Sequence, residues 1–367
     1  MEIKFTVNFS MAQNNLFNRK NKTQLIQEQG QETFKRKTCS FYRYVKIVDT
    51  QSMRNILYKE WLDFKILGRV YLAKEGINAQ ISVPEPNWDN FIETLDSHPE
   101  FSKMHIKNSV MEADQSFLKL IVRVKNKIVA DGIDDETFDS SQVGTHLNAE
   151  EFNTAMGDPR AVVVDMRNYY ESEVGHFENA ICPDVDTFKD ALPNVKEQLT
   201  GKEDHKILLY CTGGIRCEKA SAYLKHHDFK DVSQLNGGII EYSHQMKNKK
   251  IKSKFIGKNF VFDYRMSEAI TKDIISNCHQ CNEPSSRHTN CENQACHILF
   301  IQCEKCSEEF ENCCSAECAK IAELPIEEQR KLRKDPSKAA PLKRFQKGVK
   351  PKLKELIQAR EKTKHHF

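Results

Sequence analysis

The amino-acid sequence predicts an α/β multidomain protein, and three observations lead there. The chain has 367 residues, more than the roughly 250–300 at which a single hydrophobic core stops growing. Between Ala161 and Leu235, short continuous runs of apolar, β-branched residues alternate with helical segments, the pattern of a parallel sheet buried on both faces. Nine of the thirteen cysteines fall between Cys278 and Cys318, which marks a chemically distinct third segment.

Residues 1–38 are rich in Asn, Gln and Lys and read as a flexible extension, with Met11 an alternative start. From Phe41 the pattern becomes definite. Phe41 to Val48 reads as a strand, and Ser52 to Phe64 as a helix with Met53, Ile56, Leu57 and Leu62 near one face. A strand Gly68 to Leu72 turns at Lys74-Glu75-Gly76 into a strand Ile77 to Val83. Pro86-Asn87 opens a helix through Leu95, and strands recur near Met104 to Val110 and Phe117 to Val129. The order β-α-β-β-α-β over residues 39–135 predicts a ferredoxin-like (acylphosphatase-like) α+β domain. In its last strand Lys119, Arg123, Lys125 and Lys127 share one face at period two, opposite Leu120, Val122 and Val124. That face is either a solvated surface or one that tracks the phosphates of a nucleic acid.

Beyond the acidic stretch Asp131 to Ser140, Asn148 is placed to cap a helix Glu150 to Met156. Strands are expected at Ala161 to Val164, Lys206 to Tyr210 and Val232 to Leu235, with helices at Thr187 to Leu199 and Glu218 to His226. They define a second domain over residues 146–250 whose function belongs at the C-terminal strand ends. A connecting segment (251–277), the cysteine-rich segment (278–318) and a basic tail (319–367) follow.

Composition narrows the classes. Mean hydropathy is −0.63, and no apolar run reaches the roughly 20 residues needed to cross a bilayer. Nor is there an apolar core of the roughly 7–15 residues of a secretory signal near the start, so a cytoplasmic protein with no membrane partner is expected. The net charge of +3 conceals a separation of sign. Arg330 to Phe367 hold fourteen Lys or Arg against three acids, so the tail carries +11 and the rest −8. A localised basic tail suits a polyanion such as RNA or DNA, or a solubilising extension.

The chemistry concentrates at Cys211-Thr212-Gly213-Gly214-Ile215-Arg216. Cys211 follows a predicted strand, and a helix begins around Arg216 to Lys219. Glycines let successive backbone N–H groups turn inward, and a helix N-terminus adds positive partial charge. A cradle of Thr212, Gly213, Gly214 and Ile215 with Arg216 beside it should depress the thiol pKa and make Cys211 a nucleophile. Cysteine phosphatases place their phosphate-binding arginine six positions after the cysteine, where this chain has Cys217. The loop is therefore sized for a sulfur atom rather than a phosphate ester. Cys217 could resolve an oxidised Cys211 or serve as a small apolar residue.

These residues carry a family resemblance. Asp165-Met166-Arg167, Gly175-His176-Phe177-Glu178-Asn179-Ala180 and Leu235-Asn236-Gly237-Gly238 match rhodanese signatures. The stretch Tyr210 to Ser221 resembles the loop of the rhodanese-domain-containing tRNA uridine hydroxylases. Ala73-Lys74-Glu75-Gly76-Ile77-Asn78, Phe260-Val261-Phe262-Asp263-Tyr264-Arg265 and Arg287-His288-Thr289-Asn290-Cys291 resemble that family's other blocks. The match runs from Phe41 to Cys318, with Ala79-Gln80 standing where Gly-Thr is common. The resemblance implies oxidation of the wobble uridine of tRNA to 5-hydroxyuridine, using molecular oxygen and requiring Cys211. The residues alone also support sulfur transfer from a donor through a Cys211 persulfide. A non-catalytic binding module fits less well, because Cys211 is retained. No organic cofactor fingerprint is recognisable.

In the cysteine-rich block, Cys278-x2-Cys281 and Cys303-x2-Cys306 form two knuckles, joined by Cys291, Cys296, Cys313, Cys314 and Cys318. Cys278, Cys281, Cys296, Cys303, Cys306, Cys313, Cys314 and Cys318 are the candidate ligands. About one to two structural zinc ions are expected, with disulfides or free thiols the alternative, and His288 and His297 are either further ligands or, more simply, loop histidines.

Overall fold

A computed structural model describes residues 16–111, 115–135, 137–342, 345–346 and 349–364. The described residues divide into two compact units, one within Met1–Met104 and Asp114–Ile128, the other within His105–Ala113 and Val129–Phe367.

In the first unit, α1 (Lys22–Gly30) precedes β1 (Arg36–Tyr44). The start of α1 is fixed by a capping box in which Asn21 and Gln24 satisfy each other's backbone N–H groups. The expected flexible extension therefore contains a helix and the beginning of the first strand; its first fifteen residues lie outside the described ones. The unit continues with α2 (Thr50–Asp63), β2 (Leu67–Ala73), β3 (Gly76–Pro84), α3 (Trp88–Ser97) and, beyond a segment of the second unit containing β4 (Lys107–Asn108), β5 (Leu120–Val124). Its strands run in the order β1-β3-β2-β5, with β1 and β2 antiparallel to β3 and β5 parallel to β2.

Two expectations need correction here. The buried face of α2 is Leu57, Tyr58 and Trp61, while Ile56 and Leu62 are exposed. Trp61 packs edge-on to Phe41 and Phe91, and these large rings bury more area than the aliphatic stripe could. The last strand stops at Val124, which is itself exposed, so the period-two face ends there. Lys119 and Arg123 are exposed. Lys125 lies past the strand with its ammonium 5.7 Å from the Tyr71 ring centroid, and Lys127 is half-buried.

The second unit is built on a parallel sheet of β6 (Thr145–Leu147), β7 (Ala161–Asp165), β9 (Lys206–Tyr210) and β10 (Asp231–Leu235), ordered β6-β10-β9-β7. Along β9 the side chains alternate between two cores. Ile207, Leu209 and Cys211 join Leu192 and Val195 of α6 (Phe188–Gln198) and Ala220 and Leu224 of α7 (Ile215–His226). Leu208 and Tyr210 face Phe152 of α4 (Ala149–Ala155) and Ile239 and Tyr242 of α8 (Gly238–Lys249). Both faces are dry, as the apolar runs required.

Between β7 and α6 lie α5 (Tyr169–Ser172) and β8 (Gly175–Phe177), and β8 pairs with β11 (Phe255–Phe260), which pairs with β12 (Ser267–Ala269). The cysteines of the third segment lie on the loops before, within and after a hairpin of β13 (His288–Asn290) and β14 (Leu299–Ile301), and on α9 (Glu304–Glu309) and α10 (Ala316–Ala322). The tail is not an extension from residue 319 onward. It forms α11 (Ile326–Leu332), α12 (Pro336–Ala339) and α13 (Leu353–Lys364). Ala340 and Leu353 are buried in one cluster with Cys291, Cys296, Cys313, Cys314 and Cys318.

Candidate active site

Cys211 stands at the C-terminal end of β9, and α7 begins four residues later. Gly214, at φ 97° in the left-handed region, turns the chain into that helix. The turn sends its N–H toward the sulfur, 3.1 Å away. From the far side, Gly238 presses its backbone on the loop at φ +67°. A Cβ there would lie 2.5 Å from the Cys211 carbonyl oxygen. The N–H groups of Ile239 and Ile240 donate to the Cys211 and Thr212 carbonyls at 3.0 and 3.2 Å. The closing Asn-Gly-Gly motif thus clamps the loop.

Burial pushes the Cys211 thiol up. The hydrogen bond from Cys217, the Arg216 charge and the backbone N–H groups of Arg216 and Cys217 outweigh it and bring the value down to about 6. The other cysteines before residue 278 behave oppositely: burial pushes Cys39 and Cys182 up to about 12. Burial and the Cys211 contact hold Cys217 well above its ordinary value. Cys217 is therefore a protonated donor at neutral pH, which suits a group that holds a thiolate better than one that attacks it.

Arg216 does not reach the sulfur as a free fork. Its guanidinium makes a bidentate pair with Glu171, Nη1 to Oε1 at 2.7 Å and Nη2 to Oε2 at 2.8 Å, and touches Thr212 Oγ1 at 3.3 Å. Glu171 is fully buried and also accepts the Asn168 N–H at 3.0 Å. Sequence reasoning missed Glu171, because nothing local announces that a residue 45 positions away completes the loop.

Lys107 was missed as well. It is 5% exposed, and burial lowers its pKa to about 8 against the opposing pull of Cys211, Glu241 and Glu218. The Asp-x-Arg motif, in contrast, is structural. Arg167 is fully buried, grips Asp165 with Nε and Nη2, and donates to the Gly175 carbonyl at 2.6 Å, tying β7 to β8.

The cysteine block resolves into two groups of four. Cys278, Cys281, Cys303 and Cys306 form one, and Cys291, Cys296, Cys314 and Cys318 the other, with the sulfurs of each group within 4.8 Å of one another. The pairs alternate along the chain, so the groups are cross-braced. Contacts of 3.6 Å join Cys281 to Cys303 and Cys296 to Cys314. A tetrahedral ion with bonds of about 2.3 Å sets its sulfurs about 3.8 Å apart, whereas a disulfide needs about 2.05 Å. Either group could hold a metal ion. Cys313 belongs to neither group of four, and Cys291 takes the expected place; the Cys313 thiol hydrogen-bonds Cys291 at the edge of the second group.

The fold and loop define a rhodanese-domain protein. Family models match in three places: a UPF0176 acylphosphatase-like domain at residues 36–128, a rhodanese-like domain at 148–245, and a rhodanase C-terminal segment at 256–319. A tRNA uridine(34) hydroxylase of Leptospira interrogans is 55% identical over 327 residues, covering 89% of both chains. Those of Pectobacterium carotovorum and Escherichia fergusonii are 49% and 50% identical, over 87% and 81% of this chain and 90% and 85% of theirs. The chain belongs to the tRNA uridine(34) hydroxylase family.

Proposed function

We propose that this protein hydroxylates the wobble uridine of tRNA to 5-hydroxyuridine, with Cys211 as the nucleophile and dioxygen as the oxidant. The observation that carries the reading is the cradled Cys211 sulfur, the one thiol outside the cysteine block whose surroundings favour the thiolate. Family membership supplies the reaction class. In the overall balance C5–H becomes C5–OH: one oxygen atom enters the base, the other leaves as water, and a thiol-class reductant supplies two electrons and two protons.

Arg216 acts in this reading as a positioning residue that, with Glu171, fixes the loop and lends its charge. Thr212, Gly213, Gly214 and Ile215 form the backbone cradle. Cys217 donates to the thiolate, and its high pKa weighs against the resolving role. The two thiol groups hold one structural zinc ion each. Four ionised sulfurs so close repel one another unless a cation sits among them, and the metal would then contribute folding energy to the segment. Lys119, Arg123 and the exposed cations of the tail contact tRNA phosphates, and the protein works in the cytoplasm, where tRNA is modified.

The test is incubation of the purified protein with tRNA lacking the modification under isotopically heavy dioxygen, followed by nucleoside mass spectrometry. Labelled 5-hydroxyuridine is expected. Label drawn from water overturns dioxygen as the source, and thiouridine in its place replaces hydroxylation by sulfur transfer.

A further inference from the structure

Arg216 lowers the Cys211 pKa by its charge, but its guanidinium is shared with Glu171, which faces it in a bidentate pair. A buried thiolate in low dielectric needs more than neutral donors, because an isolated buried anion regains its proton. We propose that Lys107 is the additional cation that keeps Cys211 ionised, a positioning residue delivered to the loop from outside the rhodanese-like domain. The proposal rests on the reading of Cys211 as the nucleophile.

Geometry supports it first. The Lys107 stem lies against both glycines that flank the sulfur. A Cβ built on Gly213 would be 3.7 Å from Lys107 Cε, and one on Gly237 3.6 Å from Lys107 Cδ. Gly213 belongs to the cysteine loop and Gly237 to the clamp over it, so the far half of the Lys107 side chain runs along the loop, within electrostatic reach of Cys211. The segment carrying Lys107 is laced to the rest of the second unit. His244 Nε2 donates to the Asn108 carbonyl at 3.0 Å. Glu268 Oε1 accepts the N–H groups of Val110 and Met111 at 3.0 and 3.2 Å. Arg265 pairs with Glu268 and donates to the Met111 carbonyl at 2.9 Å. A lysine whose backbone is anchored this way has little freedom to leave.

The charges around it agree. Cys211, Glu241 on α8 and Glu218 on α7 all favour its protonated form. Arg216 and Cys217 face the sulfur from α7, Glu171 faces Arg216 from α5, and His146 bonds Glu218 at 2.9 Å. Without Lys107, the thiolate loses a cation whose charge it shares with Glu241 and Glu218. That loss pushes the thiol pKa up.

The experiment measures the pH dependence of Cys211 alkylation by iodoacetamide in the full chain, located by peptide mass spectrometry. The wild-type chain is compared with Lys107→Met and Lys107→Arg. Methionine has a similar length and removes a buried charge, so the packed slot stays filled and the variant folds; thermal melting checks this. Lys107→Met should raise the midpoint by about one pH unit, cutting the rate at pH 6 about fivefold and leaving it unchanged at pH 9. Lys107→Arg should return the midpoint to near the wild-type value. An unchanged midpoint in Lys107→Met overturns the inference and assigns Lys107 a packing role. A wild-type midpoint near the ordinary thiol value would instead overturn Cys211 as a stabilised thiolate, so the two failures read differently.

Discussion

Arg216 and Glu171 face each other in a buried bidentate pair whose two bonds, 2.7 and 2.8 Å, join the head of α7 to the short helix α5. The pair stabilises the cysteine loop from beneath, with Thr212 Oγ1 touching both partners at 3.3 and 3.4 Å.

Truncating Arg216 therefore does more than remove a charge from the sulfur. Arg216→Ala leaves Glu171 buried without its bidentate cation, with only the Asn168 N–H and Thr212 beside it, which costs about 3–5 kcal/mol. Denaturant unfolding should show that drop in stability together with reduced tRNA hydroxylation. Arg216→Lys retains the charge but not the fork and should fall between. A fully stable Arg216→Ala protein would contradict the pairing.

The acid side of stability should depend on His288. It is 7% exposed, bonds the Tyr170 carbonyl at 2.9 Å, and packs edge-on to Phe260. Burial lowers its pKa from 6.5 to about 4. Between these values the unfolded chain binds the proton and the folded one does not, so stability rises with pH across that window and is lost as pH falls through it. His288→Gln should flatten the unfolding free energy between pH 6.5 and 4 relative to wild type. A slope identical to wild type would assign the acid sensitivity elsewhere.

Metal content separates the two thiol groups. Freshly purified, reduced protein should contain about two zinc ions per chain, removable by chelation with a fall in thermal stability. Cys291→Ser should lose about one ion, whereas Cys313→Ser should keep both. Release of an ion in Cys313→Ser but not in Cys291→Ser would reverse the assignment.

Truncating the tail is not a clean probe of RNA binding, since Ala340 and Leu353 are buried with the cysteines. Lys352 is also occupied, pairing with Asp184 at 2.6 Å. Substituting the exposed Arg330, Lys331 and Lys334 together with glutamine leaves that packing intact. The triple variant should weaken tRNA binding across tRNAs and flatten the dependence of log affinity on log salt, by about one unit or less for each phosphate interaction removed. Lys119→Gln with Arg123→Gln is the matching test of the first unit. A salt slope unchanged by either set removes that surface from the interface.

How much could be read beforehand follows from distance along the chain. The cysteine loop is a contiguous stretch, Cys211 to Arg216, and its strand, glycines and helix start were legible because each is a local property. Glu171 and Lys107 reach the same loop from 40 and 104 positions before Cys211, and only tertiary packing brings them there. The knuckles were legible as pairs able to hold a metal ion, but not that the second set interleaves with the first or that Cys291 displaces Cys313. The basic stripe failed because alternation along Phe117 to Val129 assumed a strand five residues longer than β5 at its C-terminal end. The tail's charge masked the few apolar residues, Ala340 and Leu353 among them, that pack it down.

The most direct test of the central claim is the 5-hydroxyuridine content of tRNA from cells whose only copy of this protein is wild type or Cys211→Ser. A serine hydroxyl, with its far higher pKa, cannot replace a cradled thiolate, although its size preserves the loop. The wild-type chain should restore 5-hydroxyuridine at the wobble position, and Cys211→Ser, expressed to the same level and equally stable, should yield none. Full modification by Cys211→Ser would contradict the assignment of Cys211 as the working nucleophile.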